Sequence, residues 1–487
     1  MEFENITKYD KVIEPNSKLK KLAQLNEQVN KILDKYNPDI TELTISELNI
    51  KGIVDLSRFT CLTKLNCKFN LIKYLILPNE LKELNCESNK IKSLDYLPNS
   101  LIKLNCNTNL ITNLNKLPNY LEELDCSNNQ LISLDKLPAS LIKLNCENNK
   151  LTSIYKLRCC LQCGKFNNIS KCKNTQQYKL IELKCKYNKL IFLDNLPSSI
   201  KKLNCADNYL TELNYLPGKL IELNCQSNRI KSLDNLPNQL ILLNCESNRI
   251  KSLDNLPNSL KILNCSSNYY LLSLDNLHNS IIELECDNCS ITQLDNLPNG
   301  IIKLSCEINK ITRLDNLPNQ LKELNCNSNK ITRLDNLQQS LINLKCCQNL
   351  ITELDNLPNQ LKELNCNSNK IACLDNLPQS LINLKCCQNL ITGLDNLPNQ
   401  LKELSCGTNK ITQLDNLPIS LIKLKCNSNK ITMLDNLPIS LIKLNCNSNK
   451  ITMLNNLPNT IIKIDCYETN IMDKKNLKIK YPNMQNI

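Results

Sequence analysis

Tryptophan is missing altogether from this 487-residue chain, aromatic residues reach only 4%, and glycine occurs 6 times. A buried core therefore cannot rest on large rings, and leucine, isoleucine and cysteine are the abundant apolar residues left to build it. Histidine occurs once, at His278. Without a second catalytic partner it reads as a substitution at a turn, and no nucleophile, base and oxyanion arrangement can be assembled around it. No run approaches the roughly eighteen apolar residues that a membrane span needs, and the first eight residues hold neither a basic nor an apolar leader region. These absences predict a soluble, intracellular protein, in the cytoplasm, with no membrane contact.

What the chain has instead is repetition. Residues 361–371 read Leu-Lys-Glu-Leu-Asn-Cys-Asn-Ser-Asn-Lys-Ile, and the phrase returns about every twenty residues from Leu62 onward. Written as L-x-x-L-x-C-x-x-N-x-I-x-x-L-D-N-L-P-x-S, it has fixed places at Leu361, Leu364, Cys366, Asn369, Ile371, Leu374, Leu377 and Pro378. So short a period predicts one solenoid of about 22 units over residues 40–471, each unit touching only its neighbours. Leu19, Leu22, Leu25, Val29, Ile32 and Leu33 fall at helical spacing between Ser17 and Pro38, which predicts a short N-terminal helical cap within residues 1–39. The first repeat follows at Ile40, Leu43, Ile45, Leu48 and Ile50. Residues 151–180 lie on the template only as a degenerate repeat, and 472–487 form a C-terminal tail too short for a catalytic domain.

The template has a physical reading. In L-x-x-L-x-C the apolar positions alternate as a half-buried strand requires, and identical strands stacked in parallel bury Leu364 and Cys366 against the repeats on either side. Asn369 stands where the strand ends, and a buried amide there can satisfy backbone groups of its own turn and the next. Pro378 sets φ and denies the return segment a helix, so the convex face is expected to be extended or polyproline-like behind a parallel β-sheet on the concave face.

The 29 cysteines recur mostly at one repeat position, as a small core residue would, and neighbouring in-register strands would hold their Cβ vectors nearly parallel, a poor geometry for disulfides. Cys159, Cys160, Cys163 and Cys172 contain a C-x-x-C, but at least Cys163 and Cys172 are better explained as inward positions than as zinc ligands. Cys347 and Cys387 follow ladder cysteines and are expected to point outward as the most modifiable thiols. Asp315, Asp335, Asp355 and Asp375 stack one repeat apart; without the glycine-containing oxygen-rich loop of a calcium site they read as turn caps. No metal and no cofactor are predicted.

The match to L-x-x-L-x-L-x-x-N/C-x-L, with cysteine in the third leucine place, resembles the leucine-rich repeat family. The twenty-residue length and L-x-x-L-P return are similar to the bacterial class of secreted effectors such as the YopM and IpaH families, which also begin with a helical cap. The Asn-, Lys- and Ile-rich wording most resembles the leucine-rich repeat proteins of Mimivirus. The resemblance implies a binding surface, with a host protein as partner and the host cytoplasm as location for a viral chain. The enzymatic activity of the IpaH family belongs to a separate C-terminal domain, so no enzyme is implied.

A partner is expected on the concave face. Two zones there depart from the Asn, Lys and Glu background: Glu283, Glu285, Asp287 and Glu307 are acidic, and Lys423, Lys425, Lys443 and Lys463 are basic. Either could steer a complementary protein. The expected role is a non-enzymatic protein-interaction scaffold. One alternative is a structural, self-assembling component, and a second is nucleic-acid binding through the basic zone, against which the net charge of +12 is diffuse.

Overall fold

The computed structural model describes residues 19–20, 22–23, 26–154, 178–193, 196–454 and 457–471. They belong to two compact units, one formed by residues 1–230 and 235–243, the other by 231–234 and 244–487.

The first unit carries helix α1 (Glu27–Leu33) and strands β1 (Glu42–Thr44), β2 (Lys51–Asp55), β3 (Lys64–Asn66), β4 (Leu71–Ile76), β5 (Glu83–Asn85), β6 (Lys103–Asn105), β7 (Glu123–Asp125), β8 (Lys143–Asn145), β9 (Glu182–Lys184), β10 (Lys202–Asn204) and β11 (Glu222–Asn224). Strand β12 (Leu242–Asn244) has residues in both units. The second unit carries β13 (Ile262–Asn264), β14 (Glu283–Glu285), β15 (Lys303–Ser305), β16 (Glu323–Asn325), β17 (Asn343–Lys345), β18 (Glu363–Asn365), β19 (Asn383–Lys385), β20 (Glu403–Ser405), β21 (Lys423–Lys425), β22 (Lys443–Asn445) and β23 (Lys463–Asp465). Pairing is parallel and strictly in register, with Leu364 opposite Leu344 on one side and Leu384 on the other.

Inside each turn the leucines, isoleucine and cysteine of the template are buried, Leu361, Leu364, Cys366, Ile371 and Leu374 being 2% exposed or less. The template asparagine closes the turn as its chemistry requires. Asn389 donates through Nδ2 to the carbonyls of Cys366 at 3.0 Å, Cys386 at 3.2 Å and Cys387 at 3.1 Å, and its Oδ1 accepts from the Ile371 amide at 3.0 Å. One side chain thus satisfies backbone groups in two successive repeats. On the return side the serine two places after the proline does related work: Ser420 Oγ donates to the carbonyls of Asn399 at 2.7 Å and Leu401 at 2.8 Å.

Two left-handed turn positions recur where glycine is the usual occupant. One is the second residue after the ladder cysteine, such as Ser368 (φ 56°), and the other is the Asn of the Asp-Asn pair, such as Asn376 (φ 62°). Asparagine tolerates this region better than most residues, which is how the fold dispenses with glycine. Ile308 (φ 55°), like Thr108 and Thr408 (both φ 54°), is a β-branched residue in the same place.

The turn with an extra residue is coupled to a repeat in which cysteine replaces the asparagine. Cys289 occupies that place and has no oxygen to accept from the Leu271 amide. The inserted Tyr269-Tyr270 turn lets the Leu271 amide donate instead to the Asn268 carbonyl, at 2.9 Å. The Cys289 thiol itself lies 3.5 Å from the Cys265 and Asp287 carbonyls.

Three features differ from the sequence expectation. Strand β8 pairs directly with β9, Leu144 opposite Leu183, although about twice the usual twenty-residue step separates them in the chain. Residues 155–177 of the degenerate repeat expected at 151–180, with Cys159, Cys160, Cys163 and Cys172, lie outside the described residues, as does the 472–487 tail. Leu48 is exposed: in the first repeat it stands at the asparagine place, where a leucine cannot make the backbone hydrogen bonds that bury the amide side chain elsewhere. Finally, β2 and β4 form a second, two-stranded parallel sheet with a register shift at Gly52, whose φ of +81° suits glycine. These stretches lack the Asp-Asn-Leu-Pro return, and their β-branched and aromatic residues extend instead. The N-terminal helical residues pack there: Ala23, with partly buried Leu19, Leu22 and Tyr74, meets Ile53 and Ile76. Asn26 caps α1 by accepting from the Val29 amide and ties it to β2 through Nδ2 and the Lys51 carbonyl, at 2.9 Å.

Candidate functional site

Each three-residue strand buries its central leucine and turns its first and third residues outward, so the concave face consists of rows running from strand to strand. The residue after the ladder cysteine adds one further row.

In the first unit the leading row alternates in charge on every successive strand from β1 to β11: Glu42, Lys64, Glu83, Lys103, Glu123, Lys143, Glu182, Lys202 and Glu222. Neighbours neutralise one another. Lys64 lies 3.0 Å from Glu42, Lys202 lies 2.7 Å from Glu222, and Glu123 is shared by Lys103 at 3.6 Å and Lys143 at 3.8 Å. These pairs are largely exposed to solvent, and Glu42, Lys64, Lys103, Glu123 and Lys143 line a trough of about 610 Å³.

The second unit has a different pattern. From β16 to β20 the leading row reads Glu323, Asn343, Glu363, Asn383, Glu403, while the trailing row reads Asn325, Lys345, Asn365, Lys385, Ser405, continued by Lys425 on β21. Opposite charges therefore stand in separate rows on alternate strands. Among the described residues none of Glu323, Lys345, Glu363 or Lys385 forms an ion pair; Glu403, at the end of its row, meets Lys423 at 3.3 Å. These residues line a trough of about 500 Å³. Neither pattern was picked out from the sequence, although both are visible when the residues flanking the central leucine are read down the repeats.

Of the residues that were picked out, the acidic group lies on β14 and just beyond β14 and β15. Asp287 is not a free carboxylate: its Oδ1 accepts from Ser305 Oγ and from the Glu307 amide, both at 2.7 Å, and burial pushes its carboxyl above the usual range. Glu307 accepts from Asn325 Nδ2 at 3.0 Å. Asp287 performs a task seen elsewhere in the unit. Strands β16, β18 and β22 end in an Asn that caps the amide two residues on; at β15, β17 and β19, which end in Ser or Lys, the preceding repeat supplies the oxygen. Asn327 accepts from the Cys347 amide and Asn367 from the Cys387 amide, each at 2.7 Å. The basic group occupies β21, β22 and β23, with Lys423 paired to Glu403 and Lys463 3.8 Å from Asp465, while Lys425 and Lys443 make no ion pair among the described residues.

Cys347 and Cys387 are half-buried rather than outward, because the capping contact draws their backbone toward the preceding repeat; desolvation raises both thiols. Among the described residues the exposed thiols are Cys61 and Cys373. The ladder thiols are fully buried, and desolvation pushes Cys86, Cys225 and Cys326 up to about 12. Asp315 and Asp335 are held by Arg313 at 2.6 Å and Arg333 at 2.7 Å. Asn376 Nδ2 donates across repeats to Asp355 at 3.3 Å, so the Asp-Asn turns form a ladder of their own. His278 Nδ1 lies 3.1 Å from Ser280 Oγ, within its own turn. Among the described residues no three His, Cys, Asp or Glu side chains converge as metal ligands, and no helix is long and apolar enough to cross a membrane.

No family model matches the sequence, and no curated protein matches it. Solved structures do. YopM from Yersinia enterocolitica WA-314 is 26% identical, with a TM-score of 0.68 over 97% of this chain and 94% of that one. CroV588, described as a circular leucine-rich repeat protein and drawn from a giant virus, is 20% identical, with a TM-score of 0.55 over 91% of this chain and 75% of that one. Proteins of this architecture generally serve as interaction scaffolds or receptors rather than enzymes. The chain is a leucine-rich repeat solenoid, a stack of parallel turns with very little helix.

Proposed function

We propose that this protein is a non-enzymatic scaffold that binds a protein partner along the concave face of its second unit. The observation that carries the proposal is the contrast in charge. The first unit's row neutralises itself, whereas Glu323, Lys345, Glu363 and Lys385 stay exposed and without ion pairs. Unpaired, ordered charges of both signs steer and orient a protein ligand. The acidic group Glu283, Glu285, Asp287 and Glu307 flanks this trough on one side, and Lys423, Lys425, Lys443 and Lys463 flank it on the other. In this reading residues 1–39 cap the stack, 40–471 form the repeats and 472–487 follow as a tail. The Mimivirus-like wording of the repeats supports a viral chain working in a host cytoplasm, with a host protein as partner.

Proximity labelling in the native cell tests this. Reversing Glu323, Glu363, Lys345 and Lys385 should remove a defined set of labelled proteins, and an unchanged set would refute the proposal. Self-assembly is the second reading, favoured by exposed Ile419, Ile439 and Ile462 near the last strands; a concentration-independent monomer in light scattering would eliminate it. Nucleic-acid binding is weaker, since carboxylates already hold Lys423 and Lys463.

A further inference from the structure

We infer that the partner of the second unit is an α-helix lying along the stack, with two charged rows of heptad spacing. The inference rests on the concave-face reading above and deepens it by naming the shape and charge pattern of the ligand.

The argument is one of matching periods. In-register strands stack about 4.8 Å apart, so glutamates on β16, β18 and β20 recur roughly every 9.6 Å, as do lysines on β17, β19 and β21. The two rows are two residues apart along the strand, about 6.6 Å, and offset by one strand, about 4.8 Å. An α-helix rises about 1.5 Å per residue, which places every seventh residue about 10.5 Å further along one side. The residue three positions on lies about 4.5 Å along the axis and on the adjacent row of the helix surface. Lys or Arg at i, i+7 and i+14 therefore falls over Glu323, Glu363 and Glu403. Asp or Glu at i+3, i+10 and i+17 falls over Lys345, Lys385 and Lys425. The mismatch is about 0.9 Å per heptad, within the reach of long flexible side chains over three contacts.

A β-extended chain and a polyanion fit less well. An extended chain running the same way repeats its side chains on one face about every 6.7 Å and drifts out of phase by the second contact. A polyanion carries one sign and would oppose the glutamate row. The first unit's row offers no equivalent site, because its charges alternate within one row and most of them are already paired there.

The test uses the full chain and a 21-residue peptide, stapled into a helix, with Lys at positions 1, 8 and 15 and Glu at 4, 11 and 18. Fluorescence anisotropy at low ionic strength should show it binding at least tenfold more tightly than the same composition with charges spaced five apart. It should also bind tenfold more tightly than a proline-containing, extended version. Lys345→Glu with Lys385→Glu should weaken the helical peptide about tenfold, and a peptide with Lys in place of its Glu row should recover the loss. Equal binding of the helical and extended peptides, no binding of either, or insensitivity to the double reversal would each overturn the helix inference. The scaffold proposal stands or falls separately, on the proximity-labelling difference, so the two failures are distinguishable.

Discussion

Replacing Asn268 by alanine should cost more than almost any other single truncation of this size in the chain. Asn268 is completely buried. Its Nδ2 donates to the carbonyls of Cys265 at 2.8 Å, Cys245 at 3.1 Å and Ser266 at 3.2 Å, and its Oδ1 accepts from the Ile250 amide at 3.0 Å. Alanine leaves the Ile250 amide buried without that acceptor, a desolvation penalty of about 1–3 kcal/mol, and forfeits further neutral hydrogen bonds worth about 1 kcal/mol each. With two amide hydrogens to donate, a total of about 3–5 kcal/mol is expected, concentrated at one inter-repeat junction because stability in a stacked array is a sum of neighbour terms. Asn268→Asp keeps the acceptor but points a carboxylate at three carbonyls, so it should be at least as damaging. Urea denaturation followed by circular dichroism measures the loss, and hydrogen exchange at the Ile250 amide localises it. A loss below about 1 kcal/mol with Ile250 still protected would refute the view that the asparagine ladder holds the turns together.

Further outcomes are specific. Burial raises the ladder thiols in the folded chain, so their contribution is fully present below the ordinary thiol value of 9.0 and is lost as pH rises toward the folded values. Each thiol held near 12 should lower stability by about 1.4 kcal/mol per pH unit above 9, giving steep alkaline unfolding that a serine-substituted ladder would not show. Alkylation followed by peptide mass spectrometry should find Cys61 reacting first, Cys373 more slowly because the Asp375 carboxylate raises its thiol, and ladder cysteines only on unfolding. Ile308→Asn should stabilise the chain by about 1 kcal/mol, relieving a β-branched residue at φ 55°, as a rise in melting temperature would report. Deleting one whole repeat in register should cost less than Asn268→Ala in the same melts, since the stack re-forms its junctions.

The core was legible in the residues themselves. Leu364, Cys366 and Asn369 have one environment each, set by strand alternation and by the backbone groups a turn leaves over, so the template names both their burial and their partners. Features absent from the template were not legible. The β2–β4 sheet depends on the N-terminal residues packing against it, and the direct pairing of β8 with β9 depends on which strands come to lie side by side. The half-burial of Cys347 and Cys387 follows from a capping oxygen contributed by the preceding repeat.

The candidate site divides in the same way. By itself the sequence determined that charges stand beside the central leucines, that glycine is dispensable where Asn and Ser accept left-handed turns, and that cysteine is a packing residue. Only the tertiary structure decided which charges neutralise each other. The sign of a residue is local, whereas its pairing depends on strand neighbours about 4.8 Å away that are twenty or more residues distant in the chain. That difference separates Lys64 and Lys202, paired to glutamates on neighbouring strands, from Lys345 and Lys385, which make no ion pair among the described residues.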